Sequence, residues 1–243
     1  MDGGRQDAQL EIHQLLKQES TDAVVLATAT PATASVIRLH GLGADGNDFV
    51  PIVPELQLPP GLAVRFVFPH APVRPVTVNN GMRMRAWYDI KELSASGATD
   101  EAGIRESAAI LAKYIQHERD EGVAANRIVV AGFSQGGAIA LHAALRHPER
   151  LAGVMALSTY LPLRKTLAAE ATAVNRDLPI LMCHGSFDPV LPLRLGTSSR
   201  DRLRAEGYAV DWKEYPMQHQ VCLDEIQDIA AWLKQRLTPE NPR

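Results

Sequence analysis

Cysteine is almost missing from this chain of 243 residues: Cys183 and Cys222 are the only two. With no Cys-x-x-Cys spacing they support neither a disulfide framework nor a zinc site, and two reduced, buried thiols are expected. An excess of one charge is missing too. The 25 Lys and Arg residues nearly balance the 28 Asp and Glu, for a formal charge of −3, and no basic patch stands out, so nucleic acid is not an expected partner. Apolar runs fall far short of the ~20 residues needed to cross a bilayer. The first residues, Met1-Asp-Gly-Gly-Arg-Gln-Asp7, lack the apolar core of a signal peptide. A cytoplasmic protein without integral membrane contact is expected. No histidine pair has helical ligand spacing and no glycine loop ends in Lys-Ser/Thr, so no metal and no organic cofactor is expected.

What is present is ample apolar content, 46% of the chain, with no long linker, internal repeat or heptad pattern. One domain over residues 31–243 is the expectation, preceded by residues 1–30 as an N-terminal extension or edge element. Short apolar runs recur at Val36 to Leu39, Val64 to Phe68, Ile128 to Ala131, Val154 to Leu157 and Ile180 to Cys183, each followed by turn or helical sequence. That alternation predicts an α/β fold with a mostly parallel sheet. Ile104, Ala108, Leu111 and Ile115 step at helical spacing behind Asp100 and Glu101, and Leu223, Ile226, Ile229 and Leu233 repeat the pattern. Both stripes read as core packing.

Open parallel sheets gather ligands at the carboxyl ends of their strands. The residues just past each run therefore matter most: His40-Gly-Leu-Gly, Pro69-His-Ala-Pro, Ser134, Ser158-Thr-Tyr-Leu-Pro and His184-Gly-Ser-Phe-Asp188. Among them, Gly132-x-Ser134-x-Gly136 lies between an apolar, β-branched run and a helix-forming stretch that ends before Pro148. A sharp strand-to-helix turn leaves no room for a Cβ on either flank and projects the central serine at the strand's end. Ser134 is the candidate nucleophile.

A serine hydroxyl needs a base within hydrogen-bond reach, and the base needs an anion to hold its tautomer. Beyond the helix that carries Ser134, only His184 and His219 remain. His184 precedes the best acid and breaks the order Ser, acid, His, whereas His219 lies in a loop between the alternating Val210-to-Tyr215 strand and the last helix. Asp188 follows the Ile180-to-Cys183 run, while Asp177 precedes it and belongs at the opposite edge. Ser134, Asp188 and His219 are the expected triad. An oxyanion would need two backbone N–H donors, one from Gln135, next after the nucleophile, and one from the early loop His40-Gly-Leu-Gly-Ala-Asp-Gly46, where Leu42 is the candidate.

Five stretches together resemble the phospholipase/carboxylesterase family of α/β-hydrolases: His40-Gly-Leu-Gly-Ala-Asp-Gly, Arg85-Ala-Trp-Tyr-Asp-Ile, Gly132-Phe-Ser-Gln-Gly-Gly, His184-Gly-Ser-Phe-Asp-Pro-Val and Tyr215-Pro-Met-Gln-His. They run in family order over about residues 35–237. The resemblance implies an α/β-hydrolase fold with helices on both faces of the sheet, the same triad and the same oxyanion donors. It also implies a serine carboxylesterase acting on a small-molecule ester, an acylated protein or a lysolipid, in a family whose members often form homodimers. Gln218 and Gln220 beside His219 depart from the family's usual residues there, and neither is a triad position.

Residues 69–99 read as a long stretch rich in Pro, Asn and Gly that, by resemblance, flanks the acyl site through Trp87 and Tyr88. A second flank is expected at Tyr160-Leu-Pro-Leu163, through Leu161 and Leu163. The length leaves little room for a large cap domain, which predicts an open groove. A peptidase of the same fold, or a non-catalytic binding homologue, would share the pattern.

Overall fold

The computed structural model describes residues 15–91 and 99–238. In chain order the strands are β1 (Leu16–Glu19), β2 (Ala23–Ala27), β3 (Ala34–Leu39), β4 (Val64–Pro69), β5 (Val73–Val76), β6 (Met82–Arg85), β7 (Ile128–Phe133), β8 (Gly153–Leu157), β9 (Ile180–Gly185) and β10 (Val210–Tyr215). The helices are α1 (Glu101–Asp120), α2 (Gln135–Ala144), the short α3 (Leu167–Glu170), α4 (Leu193–Ala205) and α5 (Leu223–Leu237).

Eight strands form one sheet in the order β1-β2-β4-β3-β7-β8-β9-β10. From β4 to β10 all neighbours are parallel, whereas β2 runs antiparallel to both β4 and β1. The central strands β3, β8 and β9 are buried at every position. That is the burial expected of strands covered on both faces, and it explains why their sequences read as continuous apolar runs. Side chains alternate between two cores. Ile37, Leu39, Val130 and Ala156 face α1 and α2, while Val36, Val129, Met155 and Leu157 face α5 and the turns around Val53 and Leu56. On α1, Ile104, Leu111 and Ile115 are fully buried, each stabilising the fold by roughly 1.5–3 kcal/mol. The Asp100 side chain caps that helix by accepting from the Gly103 amide at 3.1 Å.

Residues 16–27 supply two strands at one edge of the main sheet. Three features differ from the sequence reading. The stretch 69–91 is not a bare loop: β5 and β6 pair as an antiparallel ribbon with Val73 opposite Arg85. Leu223, counted with the core stripe of the last helix, is exposed, because it opens α5 before the helix reaches the sheet; Ile229 and Leu233 are buried. Of the cysteines, Cys183 is buried and Cys222 is partly open.

The register aligns the strand ends. Leu39 lies opposite Gly132, Phe133 opposite Leu157, Leu157 opposite Cys183 and Gly185 opposite Tyr215. Chain segments leaving β3, β7, β8, β9 and β10 therefore emerge along one edge. No described helix is long and apolar enough to cross a membrane.

Candidate active site

Ser134 is the hinge between β7 and α2 and adopts φ 54°, ψ −120°, a left-handed conformation that an L-residue holds only when its surroundings enforce it. The enforcement is visible. Its amide donates to the Leu157 carbonyl at 2.9 Å, and its carbonyl accepts from the Thr159 hydroxyl at 2.6 Å and the Ala138 amide at 3.2 Å. A Cβ on Gly132 would overlap the backbone of Gly136 and Gly137, and one on Gly136 would overlap the carbonyls of Leu39 and His40. The two glycines thus let the elbow sit directly against β3.

The elbow aims Ser134 Oγ at His219 Nε2, 2.9 Å away. His219 Nδ1–H donates in turn to Asp188 Oδ2 at 2.6 Å. The Asp188 carboxylate is closed to solvent, and its other oxygen accepts from the amides of Val190 and Leu191 at 2.9 and 2.8 Å. Those two bonds fix the carboxylate's orientation and satisfy the lone pairs that burial would otherwise strand. Phe133 packs against His219 with ring centroids 4.8 Å apart. The sequence reading does not reach this contact, although Phe133 stands inside the Gly-x-Ser-x-Gly motif itself.

His184, the rejected base, is occupied elsewhere. Its Nε2–H donates to the Leu191 carbonyl at 2.8 Å, and burial pushes its pKa down, so it stays neutral and holds closed the turn that presents Asp188. Asp177 lies at the far end of β9 in an ion pair with Arg150, away from Ser134 and His219, as its position before the strand implied.

Leu42 is half-buried in the loop after β3, and Gln135 is buried at the first position of α2. Neither backbone amide donates a hydrogen bond within the described residues. Below this loop, His40 Nδ1–H donates to the Gly41 carbonyl at 2.7 Å while its Nε2 accepts from the Ala71 amide at 3.0 Å. Burial holds His40 neutral, its pKa lowered to about 4.

The four expected substrate contacts fare differently. Trp87 is 0% and Tyr88 2% exposed, so neither ring lines an open groove. The Trp87 indole N–H donates to the His40 carbonyl at 2.9 Å, and the Tyr88 hydroxyl pairs with that of Tyr160 at 2.8 Å. Polar atoms that find partners inside the fold draw both rings into the core. Leu161 is buried as well, its amide donating to Ser199 Oγ at 2.9 Å, which leaves Leu163 as the one partly open member of the set. Apolar groups that carry no distinguishing sequence signal lie beside the acid and histidine loops: Phe187 (68% exposed) and Val190 flank Asp188, and Leu223 follows His219. Among the described residues no group of His, Cys, Asp and Glu converges as a metal site would.

Comparison with known proteins identifies the family. A family model described as Phospholipase/Carboxylesterase matches residues 20–237. The chain is 39% identical over 227 residues to acyl-protein thioesterase 1 of Gibberella zeae, covering 90% of this chain and 97% of that protein. With acyl-protein thioesterase 1 of Neurospora crassa the identity is 43% over 214 residues, 84% of this chain and 87% of the relative. Among solved structures, SOBER1 of Arabidopsis thaliana superposes with a TM-score of 0.80 at 30% identity, covering 84% of this chain and 99% of that one. Acyl-protein thioesterase 2 of Zea mays superposes with a TM-score of 0.78 at 29% identity, covering 88% of this chain and 99% of that one.

Proposed function

Because the chain belongs to the phospholipase/carboxylesterase family of α/β-hydrolases, a class of serine hydrolases, we propose that it cleaves carboxylic esters and thioesters of acyl chains through a Ser134–His219–Asp188 triad and an acyl-enzyme intermediate. The observation that carries this reading is the unbroken relay from Ser134 Oγ to His219 at 2.9 Å and from His219 to the closed Asp188 carboxylate at 2.6 Å. His219 takes the Ser134 proton as Oγ attacks the acyl carbonyl, and Asp188 stabilises the resulting imidazolium. The oxyanion sits between the Leu42 and Gln135 amides, whose lack of a partner among the described residues leaves them free to donate. His219 then gives its proton to the departing alcohol or thiol. Water, deprotonated by the same ring, attacks the acyl-Ser134 ester; the bond from Oγ to the acyl carbon breaks as Oγ takes the proton back from His219, and the carboxylic acid leaves.

The surroundings and the relatives support a substrate class. Phe187, Val190 and Leu223 offer an apolar rim beside the acid and histidine loops, and Leu163 adds a partly open aliphatic group beyond β8. Such a rim suits the acyl chain of an acylated protein or a lysolipid. Relatives named acyl-protein thioesterases favour the acylated protein. Two unpaired thiols fit a reducing compartment, and we assign the enzyme to the cytoplasm. The test is hydrolysis of p-nitrophenyl esters from acetyl to palmitoyl, alongside a long-chain acyl thioester, by the native protein and Ser134→Ala. A long-chain thioester preference abolished in the variant is the expected result. Turnover that persists in Ser134→Ala, or none with any substrate, would refute the reading.

A further inference from the structure

The two oxyanion amides come from segments more than ninety positions apart, yet they must stay about 3 Å from one atom. One short segment, Arg85 to Tyr88, touches both. On the early loop, the Arg85 carbonyl accepts from the Gly43 amide at 2.9 Å and the Trp87 indole N–H donates to the His40 carbonyl at 2.9 Å. These bonds bracket Leu42 from either side. On the elbow, the Gln135 carboxamide closes on the same segment twice: its Oε1 accepts from the Trp87 amide at 2.7 Å and its Nε2 donates to the Tyr88 carbonyl at 2.7 Å. The segment is anchored in turn, since the Ser107 hydroxyl donates to the Trp87 carbonyl and the Asp89 amide donates to Asp100 Oδ2 at 2.8 Å. His40, Trp87, Tyr88, Ser107 and Gln135 are all buried, where such bonds exchange little with water.

We infer that the Gln135 side chain and the Trp87 indole are positioning residues that set the spacing of the Leu42 and Gln135 amides by fastening both to the 85–88 segment. Gln135 thereby serves the proposed reaction twice, through its backbone N–H and through a side chain that locks where that N–H points. The carboxamide is chemically specific here, because one end must accept and the other must donate. A glutamate of the same size keeps the acceptor for the Trp87 amide and turns its second oxygen against the Tyr88 carbonyl. The inference rests on the reading of Ser134 as the nucleophile, and its test is built to separate the two.

Gln135→Glu and Trp87→Phe are compared with the native enzyme in three measurements. The first is steady-state turnover of p-nitrophenyl butyrate. A displacement of the order of 1 Å at an oxyanion donor costs about 10²-fold in rate, so kcat is expected to drop roughly 30- to 100-fold in Gln135→Glu and about tenfold in Trp87→Phe, with KM within about threefold. The second is inhibition by an alkyl trifluoromethyl ketone, whose serine adduct carries the oxyanion. Its Ki is expected to rise by the same factor as kcat/KM falls. The third needs no turnover: amide hydrogen exchange over residues 40–43 and 86–89 accelerates at least tenfold in both variants as the segment loses one of its ties, while exchange in β7 and β8 is unchanged. The pH profile adds a signature that general loosening would not produce. Protonation of the introduced carboxylate restores a donor to Tyr88, so the deficit of Gln135→Glu relative to the native enzyme shrinks as pH is lowered. Folded variants with native kcat and native exchange over 40–43 and 86–89 would overturn the inference. Native protein without Ser134-dependent turnover would instead refute the catalytic reading, and the exchange measurement would still decide whether the segment is fastened as described.

Discussion

Replacing Asp188 by Asn removes one charge and almost no volume, and the geometry dictates what the carboxamide must do. It has one accepting oxygen where the carboxylate had two. Three N–H groups compete for it: His219 Nδ1–H at 2.6 Å on one side, and the amides of Val190 and Leu191 at 2.9 and 2.8 Å on the other. If the oxygen turns to His219, the new NH₂ confronts two backbone donors in a site closed to solvent, each unsatisfied group costing roughly 1–3 kcal/mol. If the oxygen stays with the two amides, a single conflict remains at Nδ1, and His219 relieves it by moving its proton to Nε2. The second arrangement wins. Nε2 then carries a proton and cannot accept one from Ser134, so the histidine is in place but holds the wrong tautomer. In serine triads that fault lowers kcat by about 10⁴, equivalent to about 5.4 kcal/mol at 1.36 kcal/mol per decade. Hydrolysis of p-nitrophenyl butyrate by Asp188→Asn should show this loss in kcat with KM within about threefold, and the urea midpoint should shift only slightly. A folded variant that retains more than a tenth of native kcat would refute the argument from tautomer.

Other measurements follow from the same structure. His40 and His142 are buried with pKa values lowered to about 4, so the unfolded chain binds more protons than the folded one as pH falls from about 6.5 to 4, and stability declines through that window. Burial of Glu225 raises its pKa to about 8 and acts oppositely, favouring the fold as pH falls from about 8 to 4.5. Urea midpoints across pH 4.5–8.5 should therefore peak at about pH 6.5; a midpoint flat from pH 6.5 to 4.5 would contradict the histidine burial. Leu163→Ala removes three carbons from a half-buried position, worth on the order of 1 kcal/mol to a chain packed on it. The expected outcome is a five- to tenfold lower kcat/KM for palmitoyl esters with acetyl esters unaffected, and equal losses for both would place Leu163 outside the acyl path.

The proposed triad was readable because Ser134 and Asp188 stand just past apolar runs, because the order Ser, acid, His selects His219 in the loop after the alternating 210–215 strand, and because parallel strands bring their carboxyl ends to one edge. Ser134, Asp188 and His219 needed no contact information beyond that. Strand β1 offered no such signal, since Leu16, Lys17, Gln18 and Glu19 are all exposed and nothing apolar alternates. Arg74, Pro75, Arg83 and Met84 hid the β5–β6 ribbon in the same way, and a proline inside a four-residue strand argues against any strand at all. Trp87 misled for a different reason. An aromatic residue within a motif can equally line a pocket or fill a core, and the choice turned on whether its N–H finds an acceptor, here the His40 carbonyl 47 positions earlier. The double grip of the Gln135 side chain was invisible for the same cause: sequence shows an amide, not what faces its two ends.

The left-handed backbone of Ser134 sets durability against chemistry at a single residue. Holding a side chain at φ 54°, ψ −120° costs of the order of 1–3 kcal/mol, a burden that glycine would not carry. Ser134→Gly forfeits the hydroxyl and its bond to His219, yet part of that tension is released. Its melting temperature is expected to rise by about 2–4 °C per kcal/mol recovered, and a lower value in thermal denaturation would show that the surrounding bonds, not the serine, prefer the strained geometry. The inert form of this protein would then outlast the active one.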